Sequence, residues 1–109
     1  MTKTELTELL ESLGVPVNEG VPSDDNVEAE TRICFWEYLW EPLIASSKEY
    51  NTNVTYQVSI ISDMSRCKAL LELKHKLNEL DIHPSIQIEY DIETRRWHSY
   101  FPVEVLENV

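Results

Sequence analysis

The sequence predicts an α+β fold: a four-stranded, mainly antiparallel sheet with two helices on one face. In two stretches apolar residues recur at helical spacing, whereas four other stretches are rich in apolar and aromatic residues and mostly alternate them with polar ones, as strands do. The order along the chain is helix, strand, strand, helix, strand, strand, which is typical of an α+β arrangement. With 109 residues, 42% of them hydrophobic, residues 1–109 are expected to form a single domain.

The first helix is predicted at the N-terminus. Thr2 and Glu5 have the spacing of a capping box, and Gly14 is a typical helix stop. Between Thr2 and Gly14 lie four leucines at helical spacing, namely Leu6, Leu9, Leu10 and Leu13. Residues 15–26, which contain two prolines and a glycine, predict a short extended piece followed by a loop.

The next element is an aromatic strand, TRICFWEYLW, at residues 31–40. Regular alternation would divide its apolar side chains between two faces, with Ile33, Phe35 and Leu39 on one and Cys34, Trp36, Tyr38 and Trp40 on the other. Both faces are apolar. We expect Pro42 to interrupt this strand, and residues 41–53 to form a polar connection with weak helical or turn character.

Residues 54–62 alternate apolar and polar side chains and predict a second strand, paired with the first as an antiparallel hairpin with a long tip. A second helix is expected to begin at Ser62 or Asp63 as its cap. Its apolar stripe consists of Cys67, Leu70, Leu73, Leu77 and Leu80. Its polar side is the one basic region of the chain, with Arg66, Lys68, Lys74 and Lys76.

Two more strands are predicted in the last third of the chain. In residues 85–91 the inward positions are Ile86, Ile88 and Tyr90. In residues 97–105 one face would carry Trp97, Ser99, Phe101, Val103 and Val105. The tip between these strands holds Arg95 and Arg96, which are expected either to keep the turn soluble or to contact an acidic neighbour or DNA.

Two helices can cover one face of a four-stranded sheet but not both. Three large aromatic side chains left in water would forgo on the order of 5–9 kcal/mol, which is comparable with the stability of a whole domain. We therefore expect a subunit interface built from Phe35, Trp36, Tyr38, Trp40 and Tyr100. The alternative is that the loop at residues 15–30 folds over this face, or that the rings are only half exposed.

The sequence predicts no catalytic residue, no metal ligand, no cofactor and no enzymatic activity. Two glycines cannot build a phosphate-binding loop, and the three histidines never form an H-x-x-x-H pair. Cys34 and Cys67 are best interpreted as buried thiols. The net charge of −11 argues against a nucleic-acid-binding surface, and neither a signal peptide nor a membrane span is recognisable.

The layout of the chain resembles the tail-terminator or head-to-tail joining proteins of long-tailed bacteriophages. The resemblance rests on "LLESLGVPV", on "ICFWEYLW", on a strand leading into a leucine-rich helix, and on the closing "IQIEYDIETRRWHSYFPVEVLENV". It implies an α+β virion protein that forms a ring, a hexamer in this family. Such a ring caps the tail tube and joins it to head-completion proteins. It also implies no catalytic residue, DNA passing through the ring, and a location in the host cytoplasm and then in the virion.

A second function remains open, an acidic inhibitor that imitates DNA to occupy a DNA-binding enzyme. Residues 1–30 carry eight acidic side chains against one basic one, Lys3. Glu5, Glu8 and Glu11 would form the row of carboxylates that such mimicry needs. The same acidity suits a solvated surface or the wall of a channel that repels DNA phosphates.

Overall fold

The computed structural model describes residues 1–20, 29–45 and 48–109. Within these ranges the chain forms two helices and five strands. In chain order they are α1 (Lys3–Glu11), β1 (Val17–Glu19), β2 (Thr31–Ala45), β3 (Lys48–Ser62), α2 (Lys68–Glu79), β4 (Gln87–Asp91) and β5 (Arg96–Glu107).

The sheet has five strands in the order β1-β2-β3-β5-β4, so the α+β prediction is confirmed while the expected strand number was one too small. The extra strand is β1, which runs parallel to β2, whereas the other neighbours are antiparallel. Ile33 donates its N–H to the carbonyl of Pro16 at 2.8 Å, and Gly20 donates to the carbonyl of Phe35 at 2.7 Å. Three residues are too few to show alternation, which is why the sequence indicated only an extended piece here.

Both helices pack on the same face of the sheet, as predicted. Thr2 caps α1, because its hydroxyl accepts the N–H of Glu5 at 3.2 Å. The core joins leucines of both helices to alternate residues of the three central strands, and its largest buried members include Tyr56, Phe35, Phe101, Leu6, Leu10, Leu73 and Leu77. The predicted inward face of β5 is confirmed by the burial of Ser99, Phe101, Val103 and Val105.

The second helix begins later than the sequence suggested. The residue at its C-terminal end is also more exposed than expected. Its N-cap is Cys67, which makes no side-chain cap hydrogen bond, so the expected cap at Ser62 or Asp63 was wrong. Ser62 instead ends β3, where its hydroxyl lies 3.0 Å from that of Thr31. Leu80, predicted on the apolar stripe, is 53% exposed because it follows the last helical turn.

The prediction of a polar connection at residues 41–53 was also wrong. β2 continues through Pro42 to Ala45, and β3 begins at Lys48, so the two form one long hairpin of 15-residue strands. Pro42 is tolerated because β2 is an edge strand beyond its short contact with β1. The pairing shifts register twice, between Glu37 and Leu39 and between Leu43 and Ile44.

Candidate subunit interface

The hairpin of β2 and β3 extends past the rest of the sheet. β5 pairs with β3 only as far as Thr52, opposite Glu107, and β1 reaches only Phe35 on the other side. Beyond Thr52 the hairpin is therefore a two-stranded ribbon. We call residues 38–45 and 48–53 the arm. Among the described residues, the outer part of the arm, 43–45 and 48–51, is a two-stranded ribbon, whereas residues 38–42 and 52–53 are still joined through β3 to β5. An isolated two-stranded ribbon is marginally stable in water, so a packing partner would stabilise the outer part.

The arm exposes an unusual number of large apolar side chains. Five of them lie between residues 38 and 44 of β2, with exposed fractions from 43% to 65%: Tyr38, Leu39, Trp40, Leu43 and Ile44. Single exposed apolar residues are common on protein surfaces, but contiguous ones mark interaction sites. Leu43 and Ile44 were not among the predicted interface residues, although the apolar pair beside Pro42 was visible in the sequence.

The predicted common face for Trp36, Tyr38 and Trp40 was wrong. Trp36 pairs with Gln57 and Trp40 pairs with Val54, so their side chains lie on opposite faces of the sheet. The cause is the β-bulge at Tyr38, which inserts one residue and reverses the alternation. Trp40 thus lies on the helix-bearing face of the sheet but remains 56% exposed.

The other predicted interface residues occupy different environments. Phe35 is only 1% exposed and contacts the ring of Tyr56, with centroids 5.9 Å apart. It belongs to the core, since its face is the one that the helices cover, and it is not available to a partner. Trp36 and Tyr100 are half-buried on the opposite face, which we call the open face.

The open face carries no helix among the described residues. It is apolar mainly along β2, where Trp36, Leu39 and Leu43 lie. β3 contributes polar side chains beside them, Gln57, Thr55, Asn53 and Asn51. The Tyr100 hydroxyl lies 2.9 Å from a carboxylate oxygen of Glu89, and this hydrogen bond raises the pKa of the tyrosine. Residues 21–28 of the loop considered as an alternative cover are outside the described residues.

The two arginines at the β4–β5 turn differ. Arg95 is exposed, with a positive φ of 57°. Arg96 has only 17% of its side chain exposed and places Nε 3.3 Å from the Asp63 carboxylate. It also donates from Nη1 to the carbonyls of Ala29, at 2.6 Å, and Glu30, at 3.1 Å. Arg96 therefore holds two loops against the sheet, which leaves Arg95 as the accessible cation of the predicted pair.

Around the base of the arm, on the helix-bearing face, carboxylates outnumber cations. Glu37 accepts the indole N–H of Trp40 at 3.0 Å. Close by, Glu19 binds Lys3 at 2.8 Å, and Glu107 accepts the hydroxyl of Tyr56 at 3.0 Å. The pKa of Lys3 is raised, first by its hydrogen bond to Glu19, and Glu107 and Glu37 add to this. The pKa of Tyr56 is raised by burial and then by Glu107.

The outer face of α2 has the opposite character. Residues 66–79 hold four basic and two acidic side chains, a net charge of +2 in a chain of net charge −11. Leu71 is 52% exposed on the side of the helix that faces away from the core. Its helical neighbours Lys68, Lys74 and His75 are also exposed. Lys68 lies 3.7 Å from Glu72, and His75 lies 3.0 Å from Glu79.

No further chemistry stands out among the residues that the structure describes. Both cysteines are free and buried, and burial raises the pKa of the Cys34 thiol. In that part of the chain no group of three or more His, Cys, Asp or Glu side chains could hold a metal ion. None of the described helices is long and apolar enough to cross a membrane.

The predicted acidic row on the first helix is present. Glu5, Glu8 and Glu11 are all exposed, while Leu6 and Leu10 turn to the core. Of the other acidic residues in the first thirty, Asp24, Asp25 and Glu28 lie outside the described residues.

Comparison with known proteins finds similarity only among solved structures. No family model matches the sequence, and no curated protein matches it. Among solved structures, the chain is similar to the sheath/tube terminator of an extracellular contractile injection system, PVC, determined by electron cryo-microscopy in its extended state. The superposition has a TM-score of 0.34 at 10% sequence identity and covers all of this chain but 58% of that one.

Proposed function

We propose that this chain is a structural subunit of the head-to-tail junction of a long-tailed phage, a tail terminator whose copies form a ring on the end of the tail tube. The observation that carries the proposal is the arm, on which five large apolar side chains are exposed from residue 38 to residue 44. In this proposal the protein acts by assembling and docking, without turnover. The specific station in the virion rests on the resemblance of its sequence layout to tail terminators.

The arm supports assembly for two physical reasons. Fully burying a large apolar side chain contributes roughly 1.5–3 kcal/mol, and about half of this remains to be gained where the side chain is half exposed. Five such residues, with exposed fractions from 43% to 65%, therefore offer several kcal/mol to offset the cost of association. A projecting ribbon also reaches beyond its own subunit, and the principal extents of 51 × 29 × 21 Å show how elongated the chain is. A patch on one side of a subunit that binds a different patch on the next closes a ring when the rotation between subunits permits.

The acidic helix fits a channel wall in the same proposal. Glu5, Glu8 and Glu11 are exposed on α1, and like charge keeps DNA phosphates from adhering as they pass. The proposed partners are further copies of the chain in a hexameric ring, the tail tube protein and the head-completion proteins. The proposed location is the host cytoplasm during assembly and the virion afterwards.

Sedimentation and electron microscopy test this proposal together. The purified chain is measured alone and with tail tubes assembled from the tube protein encoded in the same genome. We expect rings, or tube ends capped by added density, and tubes of limited length. A chain that stays monomeric at every concentration and leaves the tubes uncapped would overturn the proposal.

The row of carboxylates on α1 keeps a DNA mimic as a second candidate. Its three exposed glutamates are separated by six residue steps in all, about 9 Å of helix. A pull-down that recovers a restriction or repair enzyme, and fails when Glu5, Glu8 and Glu11 are changed to Gln, would favour it. Normal ring formation by that triple variant would favour the terminator.

A further inference from the structure

We propose that the helix-bearing face of the arm docks on the outer face of α2 in a second copy of this chain. Trp40 would pack on Leu71, with Glu37 facing Lys68 and Lys74. The inference rests on the proposed function and names the surfaces through which neighbouring subunits of the ring would meet.

The β2 edge of the arm is poorly suited to pairing with an added strand. Ile33 donates its N–H to Pro16, so its partner in β3, Ile60, directs its backbone groups to β5. Every second residue of β3 from Ile60 to Thr52 likewise directs its backbone N–H and C=O to β5, and Thr52 is paired with Pro42. The nitrogen of Pro42 therefore lies on the free edge, where it has no proton to give an added strand. Together with the bulge at Tyr38, this protects the edge.

The β2 edge of the arm is therefore better suited to binding through side chains than to adding a strand. On its helix-bearing face the side chain best placed to do so is Trp40, which is 56% exposed and held by its hydrogen bond to Glu37. A tryptophan fixed in orientation loses little conformational freedom on binding, and Trp is enriched among the residues that dominate interface energies. Glu37 and, close by, Glu19 and Glu107 give this anchor an acidic rim, in which Lys3 is paired with Glu19.

An apolar side chain surrounded by acidic groups is complementary to an apolar side chain surrounded by basic groups. In this strongly acidic chain, the outer face of α2 offers that arrangement, since Leu71 is 52% exposed and has Lys68 at i−3 and Lys74 at i+3. The exposure of both Trp40 and Leu71 shows that the two surfaces do not cover each other within one chain.

The two surfaces are different. A contact between unlike patches is heterologous, so each copy can give its arm to one neighbour and its α2 to the other. Such contacts propagate and close into a ring when the rotation between subunits permits. The contact also brings opposite charges together in a protein whose net charge of −11 otherwise opposes self-association.

A charge-swap experiment tests the contact. Lys68→Glu with Lys74→Glu, and separately Glu37→Arg, should each weaken self-association at least tenfold in sedimentation equilibrium, because like charges then face each other. Combining all three changes should restore most of the affinity. Glu93→Arg, at an exposed position of the β4–β5 turn outside both surfaces, is the matched control for Glu37→Arg and should change nothing. Circular dichroism confirms that each variant is folded.

The outcomes separate this inference from the proposed function. If the wild-type chain forms rings and neither swap weakens them, the docking surfaces are wrong and the terminator role stands. If each swap weakens the rings and the combination does not recover, the direct charge pairing is wrong. Leu71→Gln gives an independent reading that needs no charge change: it should weaken association, and unchanged affinity would overturn the contact. A wild-type chain that never associates, even on tubes, would overturn both proposals.

Discussion

Trp40 donates its indole N–H to Glu37 across 3.0 Å, although three residues apart in a regular strand would place the two on opposite faces. The β-bulge at Tyr38 brings them to the same face, because the extra residue reverses the alternation of side chains beyond it. One inserted residue thus moves a tryptophan from the open face to the helix-bearing face and leaves an apolar surface on each side of the arm.

The first prediction concerns the apolar residues of the arm. Changing Trp40 and Leu43 to Ser should weaken self-association or tube binding by about 2 kcal/mol or more, roughly 30-fold in Kd, because both side chains are available to a partner. The free energy of unfolding should change less than this, since about half of each side chain is already exposed in the single chain. Sedimentation and urea unfolding measure the two quantities. Ile92→Ser, an 80% exposed site in the β4–β5 turn, is the control and should leave Kd unchanged.

The second prediction separates the two turn arginines. Arg96→Gln should lower the free energy of unfolding by about 1.5–3 kcal/mol, because the carbonyls of Ala29 and Glu30 and the carboxylate of Asp63 lose a charged donor. Arg95→Gln should be nearly neutral for stability. Urea unfolding of the two variants provides the comparison. Equal, small effects would mean that the contacts of Arg96 contribute nothing to the fold.

Much of the fold was predictable because leucines at helical spacing and alternating strands require a single buried face. The stripe with Leu70, Leu73 and Leu77 lies against the sheet as expected, and so does the inward face of β5. The start of α2 was not predictable in the same way. Ser62 and Asp63 are residue types that often cap helices. In the structure, however, Ser62 is the last residue of β3 and pairs with β2 and β5, and this tertiary pairing outweighs the local capping preference.

The candidate site was predictable only in part. The aromatic strand indicated an exposed apolar surface, and Tyr38 and Trp40 are indeed exposed. The bulge carries no sequence signal, because it depends on how β2 and β3 align over their whole length. Pro42 suggested a break in the strand because proline has no N–H to donate to a neighbouring strand. An edge strand accepts proline where that position faces away from its neighbour, but the sequence does not show which side of the strand lacks a neighbour.

The third prediction separates core from surface on adjacent residues of β2. Phe35→Ala should cost about 3–5 kcal/mol of stability, because the ring is buried among Tyr56 and the helices. Trp36→Ala should cost much less, since Trp36 is half-buried on the open face. Phe35→Leu keeps most of the volume and should cost under about 1.5 kcal/mol. Chemical unfolding monitored by circular dichroism measures all three, and a reversed order would contradict the assignment of faces.

The fourth prediction concerns alkaline pH. Tyr56 is buried and its hydroxyl donates to Glu107 at 3.0 Å, both of which raise its pKa above the ordinary value of 10.0. Above pH 10 the unfolded chain therefore releases this proton while the folded chain retains it, so the free energy of unfolding should fall as the pH rises.

Tyr56→Phe should unfold more easily near neutral pH by about 1 kcal/mol for the lost hydrogen bond. It should also lose part of the decline between pH 9.5 and 11.5. Tyr100→Phe, which removes a hydroxyl whose pKa is raised by its hydrogen bond to Glu89, shows how much of the decline belongs to the open face. Urea unfolding measures the free energy of unfolding across this pH range. If it falls equally in wild type and Tyr56→Phe, a proton retained on Tyr56 is contradicted.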